Sequence, residues 1–329
     1  MSHSVRALGF AAALALPAEA FAEADAIKFQ LSWRPQAEHG CYYQAVGAGL
    51  YAKKNLAVTI LPGGPQIHTQ QMLVSGKVEF AMGSNSFNAL NYVREKIPMV
   101  VVATVFQKNP AVIIAHPGVG HDSLEALKGK PIFVSAIAKP TWWNFLRVKY
   151  GYTDEQIRPY TFNLAPFLVD KMVAQQGFVT NEPFQIEQKG VKPNVFLLAD
   201  YGYDDYAYTI ETSRAMVEKN AGLVQRFVDA TIEGCYSYLF GDPAAGNKLI
   251  IEANPQMTPE IIANSIAVMK ARKLMDGGDA VPLGIGAMTD ARWKSFFDMT
   301  VKAGLYPADL DLKQGYTLQF VNKRHGMKN

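Results

Sequence analysis

Residues Met99–Phe106 read MVVVATVF, the longest apolar run after the N-terminal stretch, and they have the length of a buried strand. Upstream, the segments 26–33, 56–61 and 78–82 are also strand-like, and each is bounded by turn residues. The residues between them have helical spacing, at 41–51, 67–73 and 86–94. This βαβαβαβ order predicts a mostly parallel sheet flanked by helices, because parallel neighbours need a crossover connection.

A second α/β pattern starts after Asn109-Pro110. It has predicted strands at 111–115, 131–135, 160–163, 177–180 and 195–198, and predicted helices at 123–127, 141–150 and 165–174. From Arg214 onwards the spacing is helical, and these helices have no sheet of their own. They must therefore pack on one of the two earlier units.

These patterns predict a two-lobed α/β protein in which each lobe is a mostly parallel sheet flanked by helices. We expect lobe 1 to be discontinuous, with residues 23–109 and 206–329, and lobe 2 to comprise residues 110–205. The chain then crosses between the lobes near 108–111 and near 200–208, and both crossings are candidate hinges.

The first 22 residues have the pattern of a cleaved signal peptide. Arg6 gives a positive start, residues 7–16 form a short apolar stretch, and Ala20-Phe21-Ala22 is typical of a signal peptidase site. A buried amphipathic helix is the alternative, but the stretch lacks a polar face. We therefore predict cleavage near Ala22 and export, with no membrane insertion because no later segment has the length of a span.

Composition and charge exclude several classes of protein. The chain has 329 residues, of which 49% are hydrophobic and 19% charged, so it has material for a large core. A net charge of +3 is too small for a nucleic-acid footprint. Cys41 and Cys235 are too far apart for a zinc ribbon or a Cys-x-x-Cys motif, and the sequence leaves their pairing open.

Motifs for catalysis, metals and cofactors do not occur. The six histidines include no His-Glu-x-x-His pair, and Gly118-Val119-Gly120 lacks the third glycine of a dinucleotide fingerprint. Neither Gly76-Lys77 nor Gly129-Lys130 has the upstream glycine of a phosphate loop. We therefore predict a binding protein with no catalytic residue, no metal and no cofactor.

Aromatic and polar residues at the ends of predicted strands are the candidate ligand contacts, since ligands of open α/β sheets bind at the carboxyl ends of strands. Trp33 ends the first strand, and Ser84, Asn85 and Ser86 precede a helix where plain capping is the alternative role. Trp142 and Trp143 begin another helix, and the sequence does not decide which of them faces a ligand. Asn181 and Glu182 follow an apolar strand, and Glu182 is a candidate acceptor for ligand N–H groups or a solvated loop residue.

The sequence resembles the periplasmic solute-binding proteins of the NMT1/THI5-like group of ABC importers over nearly all of the predicted mature chain. The resemblance is carried by FQLSWRP (29–35) with His39, GLY (49–51), LVSGKVEF (73–80), LKGK (127–130), GFVTNEPF (177–184) and the helix at 220–240. The group also contains fungal enzymes that make the thiamine pyrimidine from their own histidine. The lysine and histidine that they need correspond to Gly83 and Phe87, so the resemblance does not extend to that chemistry.

The resemblance implies a hinged protein that closes on a small solute and delivers it to an inner-membrane permease with its ATPase. The predicted ligand is a planar heteroaromatic molecule such as a thiamine pyrimidine precursor. Its predicted contacts are Trp33, His39, Tyr42, Ser84, Asn85, Ser86, Trp142, Trp143, Asn181 and Glu182.

Three alternatives to this ligand and role stay open. Arg34 and the Ser84–Ser86 segment would suit an organic anion such as a sulfonate, nitrate or an aromatic carboxylate. A periplasmic enzyme would use Glu182 with His39 as its acid-base pair. A sensory or scaffolding domain without transport is the third alternative.

Overall fold

Residues 23–327 are described by a computed structural model, and the predicted signal peptide lies outside these described residues. Ten strands form two five-stranded sheets. The first sheet contains β1 (Asp25–Gln30), β2 (Leu56–Leu61), β3 (Phe80–Asn85), β4 (Met99–Phe106) and β10 (Ala207–Ser213). The second sheet contains β5 (Ala111–Ala115), β6 (Ile132–Val134), β7 (Ile157–Pro159), β8 (Ala174–Phe178) and β9 (Asn194–Leu197).

Helices surround both sheets. They are α1 (Gly40–Gly47), α2 (Leu50–Lys53), α3 (Thr69–Val74), α4 (Phe87–Arg94), α5 (Trp142–Tyr150), α6 (Ala165–Val169), α7 (Glu182–Glu187), α8 (Arg214–Lys219), α9 (Ala221–Phe240), α10 (Ala244–Ala253), α11 (Pro259–Ala271), α12 (Ala280–Leu283) and α13 (Asp290–Lys302). Within residues 23–327, no helix is both long enough and apolar enough to cross a membrane.

Both sheets are mixed, which refines the predicted architecture. The strand orders are β2-β1-β3-β10-β4 and β7-β6-β8-β5-β9. β10 pairs antiparallel with β3 and β4, and β5 pairs antiparallel with β8 and β9, whereas β1–β3 and β6–β8 are parallel pairs. The two-lobed α/β fold is thus confirmed. β5 is the first strand after the first crossing, and β10 is the first strand after the second.

β4 and β5 are buried along their whole length, as their apolar sequences predict. β4 lies at one end of the first sheet, where an open edge would invite pairing with another chain. The C-terminal segment covers this edge, because Val101 forms a bridge with Tyr316 and Thr104 forms one with Gly286. The tail of the chain therefore completes the first lobe.

The long helix α9 packs on the first sheet and on α1. The Phe227 ring of α9 stacks on Phe80 of β3 with 4.2 Å between the ring centroids. A disulfide between Cys41 of α1 and Cys235 of α9 joins the two helices, which answers the question that the sequence left open. The first lobe is therefore built from both the beginning and the end of the chain.

Several predicted elements differ from the observed ones. Residues 123–127 form turns, and the strand predicted at 160–163 lies earlier, as β7 at Ile157–Pro159. α6 ends at Val169, and β8 starts at Ala174, where a helix was expected to continue. β10 was not predicted at all, because its buried polar residues hide the apolar pattern of a strand.

The two segments that connect the sheets meet at Asp205, which has no exposed surface. Its carboxylate accepts hydrogen bonds from the Asn109 side chain and the Ser86 backbone N–H, each at 2.9 Å, and from the Tyr203 hydroxyl at 3.1 Å. Burial raises the pKa of Asp205 to about 6. Asp205 thereby ties the first crossing, the second crossing and the start of α4 to one another.

Candidate functional site

A cleft of about 590 Å³ lies between the two lobes and is lined by residues of both. Side-chain amides form much of its lining, from Gln36, Gln70, Asn85, Asn88, Asn91, Asn109, Gln176 and Asn181. Aromatic rings form another part, from Trp33, Phe87, Trp142, Phe162, Phe178 and Tyr208. This size and mixture are typical of a small-molecule site, where apolar walls bury the ligand and a few polar groups orient it.

The amides on the first lobe follow from helix geometry. Asn85, Asn88 and Asn91 are three residues apart, so they lie on one face of α4 and its approach, and this face lines the cleft. Asn88 also donates a hydrogen bond of 2.9 Å to Glu211 of β10, which fixes the direction of its amide. One polar stripe along α4 therefore presents hydrogen-bonding groups to the cleft.

Trp33 and Phe162 meet across the cleft, although they belong to different lobes. Their ring centroids are 4.7 Å apart, with the planes tilted by 51°. Phe162 has a left-handed backbone with φ of 61°, which is unusual for a large residue, and its ring packs on Tyr160 at 5.1 Å. The contact between Trp33 and Phe162 brings the two lobes together at this part of the cleft.

The structure distinguishes the two adjacent tryptophans. Trp142 lines the cleft and is 6% exposed, whereas Trp143 lies outside the lining and is completely buried. The Trp143 indole N–H donates a hydrogen bond of 3.0 Å to Asp154. Trp142 is therefore the candidate stacking residue, and Trp143 belongs to the core of the second lobe.

The segment before α4 contributes Ser84 and Asn85 to the cleft but not Ser86, which is fully buried. The N–H of Ser86 donates to Asp205 at 2.9 Å, and the N–H of Phe87 donates to the Asn85 side chain at 3.1 Å. These two backbone donors at the start of α4 are thus already bonded within the protein. Here β3 also extends to Asn85, where a loop was expected.

Asn181 and Glu182 both line the cleft at the start of α7. Glu182 Oε2 accepts a hydrogen bond of 2.8 Å from the Phe178 N–H. Burial raises the pKa of Glu182 to about 7, and the charge of Glu38 acts in the same direction. Glu182 therefore changes its charge near neutral pH at the edge of the cleft.

His39 and Tyr42 lie outside the cleft lining, and both are completely buried. His39 Nδ1 accepts a hydrogen bond of 3.1 Å from the Gln36 N–H, and burial lowers the pKa of His39 to about 3. The Tyr42 ring packs against Phe29 of β1 at 4.4 Å. The structure therefore places both residues, predicted as ligand contacts, in the core: His39 in the turn before α1 and Tyr42 on α1.

Sequence reasoning missed several lining residues. The spacing of Asn85, Asn88 and Asn91 is a signal that could have found two of them. Phe162 had no such signal, because its position depends on a left-handed turn after β7. Tyr208 also lies at the cleft, on the strand that was not predicted.

The electrostatics of the cleft are dominated by one acidic group. Glu182 is the only carboxylate among the lining residues of the described chain, and none of those residues is lysine or arginine. Arg34, a candidate for anion binding, is exposed and lies outside the lining. Between residues 23 and 327 no cluster of three His, Cys, Asp or Glu side chains is placed to hold a metal ion.

Two mixed α/β lobes, two crossings and a cleft between the lobes define the fold of a periplasmic binding protein. The NMT1/THI5-like family model matches residues 36–245, which is more than half of the chain. The chain therefore belongs to the NMT1/THI5-like family.

Known proteins similar to the chain include binding proteins and an enzyme. The riboflavin-binding protein RibY of Chloroflexus aurantiacus is 24% identical over 306 residues, which are 90% of this chain and 86% of RibY. The periplasmic aliphatic sulphonate binding protein SsuA of Escherichia coli has a TM-score of 0.64 at 15% identity, covering 88% of this chain and 91% of SsuA. The desulfurization enzyme DSZB has a TM-score of 0.58 at 13% identity, covering 90% of this chain and 97% of DSZB. The same fold therefore serves binding proteins and an enzyme.

Proposed function

We propose that this protein is the periplasmic solute-binding component of an ABC importer and that its cleft captures a small planar heteroaromatic molecule, for delivery to an inner-membrane permease. Membership of the NMT1/THI5-like family and the two-lobed fold support the role in import. The similarity to a riboflavin-binding protein supports a ring-shaped ligand. A thiamine pyrimidine precursor and riboflavin are the two ring types that we consider first.

The composition of the cleft lining is the observation that carries this proposal. Aromatic rings offer faces for stacking, and each aromatic pair adds about 0.5–1.5 kcal/mol beyond the burial of area. Side-chain amides both donate and accept hydrogen bonds, as the edge of a heteroaromatic ring requires. Glu182 Oε1 is the natural acceptor for a ring N–H or amino group, since Oε2 already accepts the Phe178 N–H.

An organic anion is less well supported, because the lining offers no lysine or arginine, only the imidazole of His68, and already holds one carboxylate. A buried anion is stabilised by a cation or by several N–H donors, and the side-chain amides of the lining are donors without a charge. The N–H groups of Ser86 and Phe87 at the start of α4 are bonded to Asp205 and Asn85. Two of the backbone donors at the helix start that suggested anion binding in the sequence are thus bonded to the protein's own side chains.

The proposed capture is a shift between open and closed forms. The crossings near 108–111 and 200–208 are the proposed hinge, and Asp205 joins them. Closure brings Trp33 and Phe162 together and excludes water, which strengthens the polar contacts inside the cleft. The permease then recognises the closed, loaded form.

An enzymatic role for Glu182 and His39 lacks the required geometry. Glu182 lines the cleft, whereas His39 is buried outside it with its Nδ1 engaged by Gln36. Both cysteines of the chain are joined in a disulfide, so neither offers a thiol nucleophile. We therefore propose binding without turnover.

Calorimetric titration with riboflavin, 4-amino-5-hydroxymethyl-2-methylpyrimidine and ethanesulfonate tests the proposal. We expect one of the two ring compounds to bind at 1:1 stoichiometry at least tenfold more tightly than ethanesulfonate. Asn88→Ala, in the cleft, should weaken that binding, while Asn144→Ala on α5, outside the lining, should not. Tighter binding of ethanesulfonate than of both rings, or formation of a product detected by mass spectrometry, would overturn the proposal.

A further inference from the structure

Glu38 makes a buried contact between the two lobes. It lies in the short turn Ala37–His39 of the first lobe and is only 1% exposed. Its Oε1 accepts a hydrogen bond from the hydroxyl of Thr180, which follows β8 in the second lobe. The Thr180 carbonyl in turn accepts a hydrogen bond of 2.8 Å from the Ser265 hydroxyl of α11. Two side chains of the first lobe therefore hold one residue of the second.

Thr180 directly precedes the two residues with which α7 enters the cleft, Asn181 and Glu182. Glu38 itself is not part of the cleft lining. A change at Glu38 can thus reach a bound ligand through Thr180 and the start of α7, or through the effect of its charge on Glu182 and Tyr208, but not by direct contact. An effect of a Glu38 variant on ligand binding would therefore indicate a positioning role and not direct contact with the ligand.

The carboxyl group of Glu38 lies in uncharged or acidic surroundings. Its Oε2 has no hydrogen-bond partner in the described part of the chain, and burial raises the pKa of Glu38. The titratable groups close enough to feel its charge are Tyr208 of β10, Tyr238 of α9 and Glu182 of α7. Adjacent His39 is neutral, because burial lowers its pKa to about 3.

A buried carboxylate without a cation is costly, and binding a proton removes that cost. Two such groups, Glu38 and Glu182, influence each other across the contact between the lobes. If the lobes separate, water reaches this contact and the carboxyl groups regain their ordinary acidity. Closure should therefore bind a proton.

We propose that Glu38 is a positioning residue for ligand capture: in its protonated form it holds Thr180, and with it the start of α7, when the lobes close. The proposal rests on the proposed function, because it describes how that same cleft closes. Glu182 remains the group that faces the ligand. The chemistry is a proton taken up by a carboxylate on closure and released on opening.

The direction of the pH effect follows from linkage. The pKa is raised in the closed form, so closure is favoured most below the ordinary pKa of a glutamate, about 4.3, and the advantage is lost as the pH rises through the raised value. Each proton changes the closing equilibrium by up to about tenfold per pH unit within that window. We expect the closed form to be more populated at pH 5.5 than at pH 8.5.

The test uses Glu38→Gln, Glu38→Ala and a pair of variants at Thr180. Glu38→Gln keeps an oxygen acceptor for Thr180 without a charge, so its closure should depend less on pH. Glu38→Ala and Thr180→Val remove the contact and should favour the open form at both. Thr180→Ser keeps the hydroxyl and should keep the pH response. If only the volume of the Thr180 side chain mattered, Thr180→Ser would lose that response.

The first readout needs no ligand. Spin labels at Val74→Cys on α3 and Val148→Cys on α5, two exposed positions on opposite lobes, report the interlobe distance. We expect a shorter mean distance at pH 5.5 than at pH 8.5 in the otherwise unchanged protein. Glu38→Gln should show a smaller difference, since Glu182 still titrates in it. An unchanged distance between the two pH values, or a difference in Glu38→Gln as large as in the unchanged protein, would overturn the role of Glu38.

The second readout is the affinity for riboflavin as the probe. We expect binding at least fivefold tighter at pH 5.5 than at pH 8.5, and a smaller difference in Glu38→Gln, in which Glu182 alone of the two carboxyl groups remains. Riboflavin binding with the same affinity at both pH values contradicts the proposal for Glu38 but leaves the proposed function intact. Absence of riboflavin binding counts against riboflavin as the ligand, while the distance measurement still decides the role of Glu38.

Discussion

Trp33 combines two roles at the level of the single residue. It lines the cleft, and its indole contacts Phe162 of the opposite lobe at 4.7 Å. A ring in this position can stack on a planar solute and at the same time cover it. The sequence predicted the first role from the end of a strand, but the partner Phe162 is visible only in the folded chain.

Trp33→Ala should weaken the binding of the ring ligand about twofold to twelvefold, because an aromatic pair contributes about 0.5–1.5 kcal/mol. Titration calorimetry measures the change. Phe240→Ala is the matched control, since Phe240 is a half-exposed aromatic residue on α9, outside the cleft. A loss of affinity below twofold for Trp33→Ala would show that the indole does not contribute.

Glu211 on β10 is the fully buried carboxyl group beneath the cleft. It accepts hydrogen bonds from Asn88, Tyr92 and Thr209. Burial raises the pKa of Glu211 to about 7, and the three hydrogen bonds only partly oppose this effect. Folding therefore favours the protonated form of Glu211.

The stability that depends on Glu211 should be full near pH 4.5 and should be lost as the pH rises through about 7. Glu211→Gln stays neutral at every pH, whereas the unchanged protein loses stability as the pH rises. The free energy of unfolding of the variant, compared with that of the unchanged protein, should therefore increase by up to about 3 kcal/mol from pH 4.5 to pH 8. Urea denaturation at several pH values measures this difference. A difference that is constant with pH would mean that Glu211 does not titrate in this range.

At the level of elements, α13 fastens the two crossing segments. Its Arg292 side chain is 12% exposed and donates two hydrogen bonds to Gln107, at the start of the first crossing. The bond to Gln107 Oε1 has a length of 3.1 Å, and the other goes to the Gln107 carbonyl. It also forms an ion pair of 2.9 Å with Asp204 in the second crossing and lies over the Tyr206 ring at 4.2 Å. One helix of the first lobe therefore holds both connecting segments of the proposed hinge.

Arg292→Met should lower the free energy of unfolding by about 1–3 kcal/mol, because it leaves hydrogen-bonding groups of both crossings without their charged partner. Backbone amides of the two crossings should exchange hydrogen faster, which mass spectrometry detects. Lys294→Met on the same helix is the control, since its pair with Asp298 is exposed and contributes little. Equal exchange in Arg292→Met and Lys294→Met would contradict the role of Arg292.

At the level of the whole molecule, the sequence predicted most of what hydrophobic periodicity controls. Predicted bounds match β2, β4 and β5, because these strands are short apolar runs with clear turns on either side. β10 escaped prediction because Thr209, Glu211 and Thr212 interrupt its apolar pattern. Their side chains are buried because β10 pairs with β3 and β4 and because hydrogen bonds hold the polar groups in place. A local sequence pattern does not reveal these long-range contacts.

The site was less predictable than the fold, for a physical reason. Trp33 was predicted at the end of the first strand, but β1 ends at Gln30, and Trp33 lines the cleft from the loop that follows. The choice between Trp142 and Trp143 depends on how α5 is rotated against the second sheet, and Phe162 depends on one left-handed turn. Such orientations are set by tertiary packing, and single-residue signals do not carry them.

The disulfide joins distant parts of the chain into the first lobe, since Cys41 and Cys235 are separated by 194 positions. Both residues have no exposed surface and lie between α1 and α9. A cross-link that closes so long a loop restricts the unfolded chain strongly, and removal of native disulfides lowers stability by about 2–5 kcal/mol.

The double variant Cys41→Ala, Cys235→Ala should therefore unfold at lower urea concentration, with a free energy of unfolding about 2–5 kcal/mol smaller. Reducing agent should shift the unchanged protein towards the variant and leave the variant itself unaffected. Thiol titration of the denatured, unreduced protein should detect no free cysteine. Detection of two thiols, or a midpoint that reductant does not move, would mean that the halves of the first lobe are held together by packing alone.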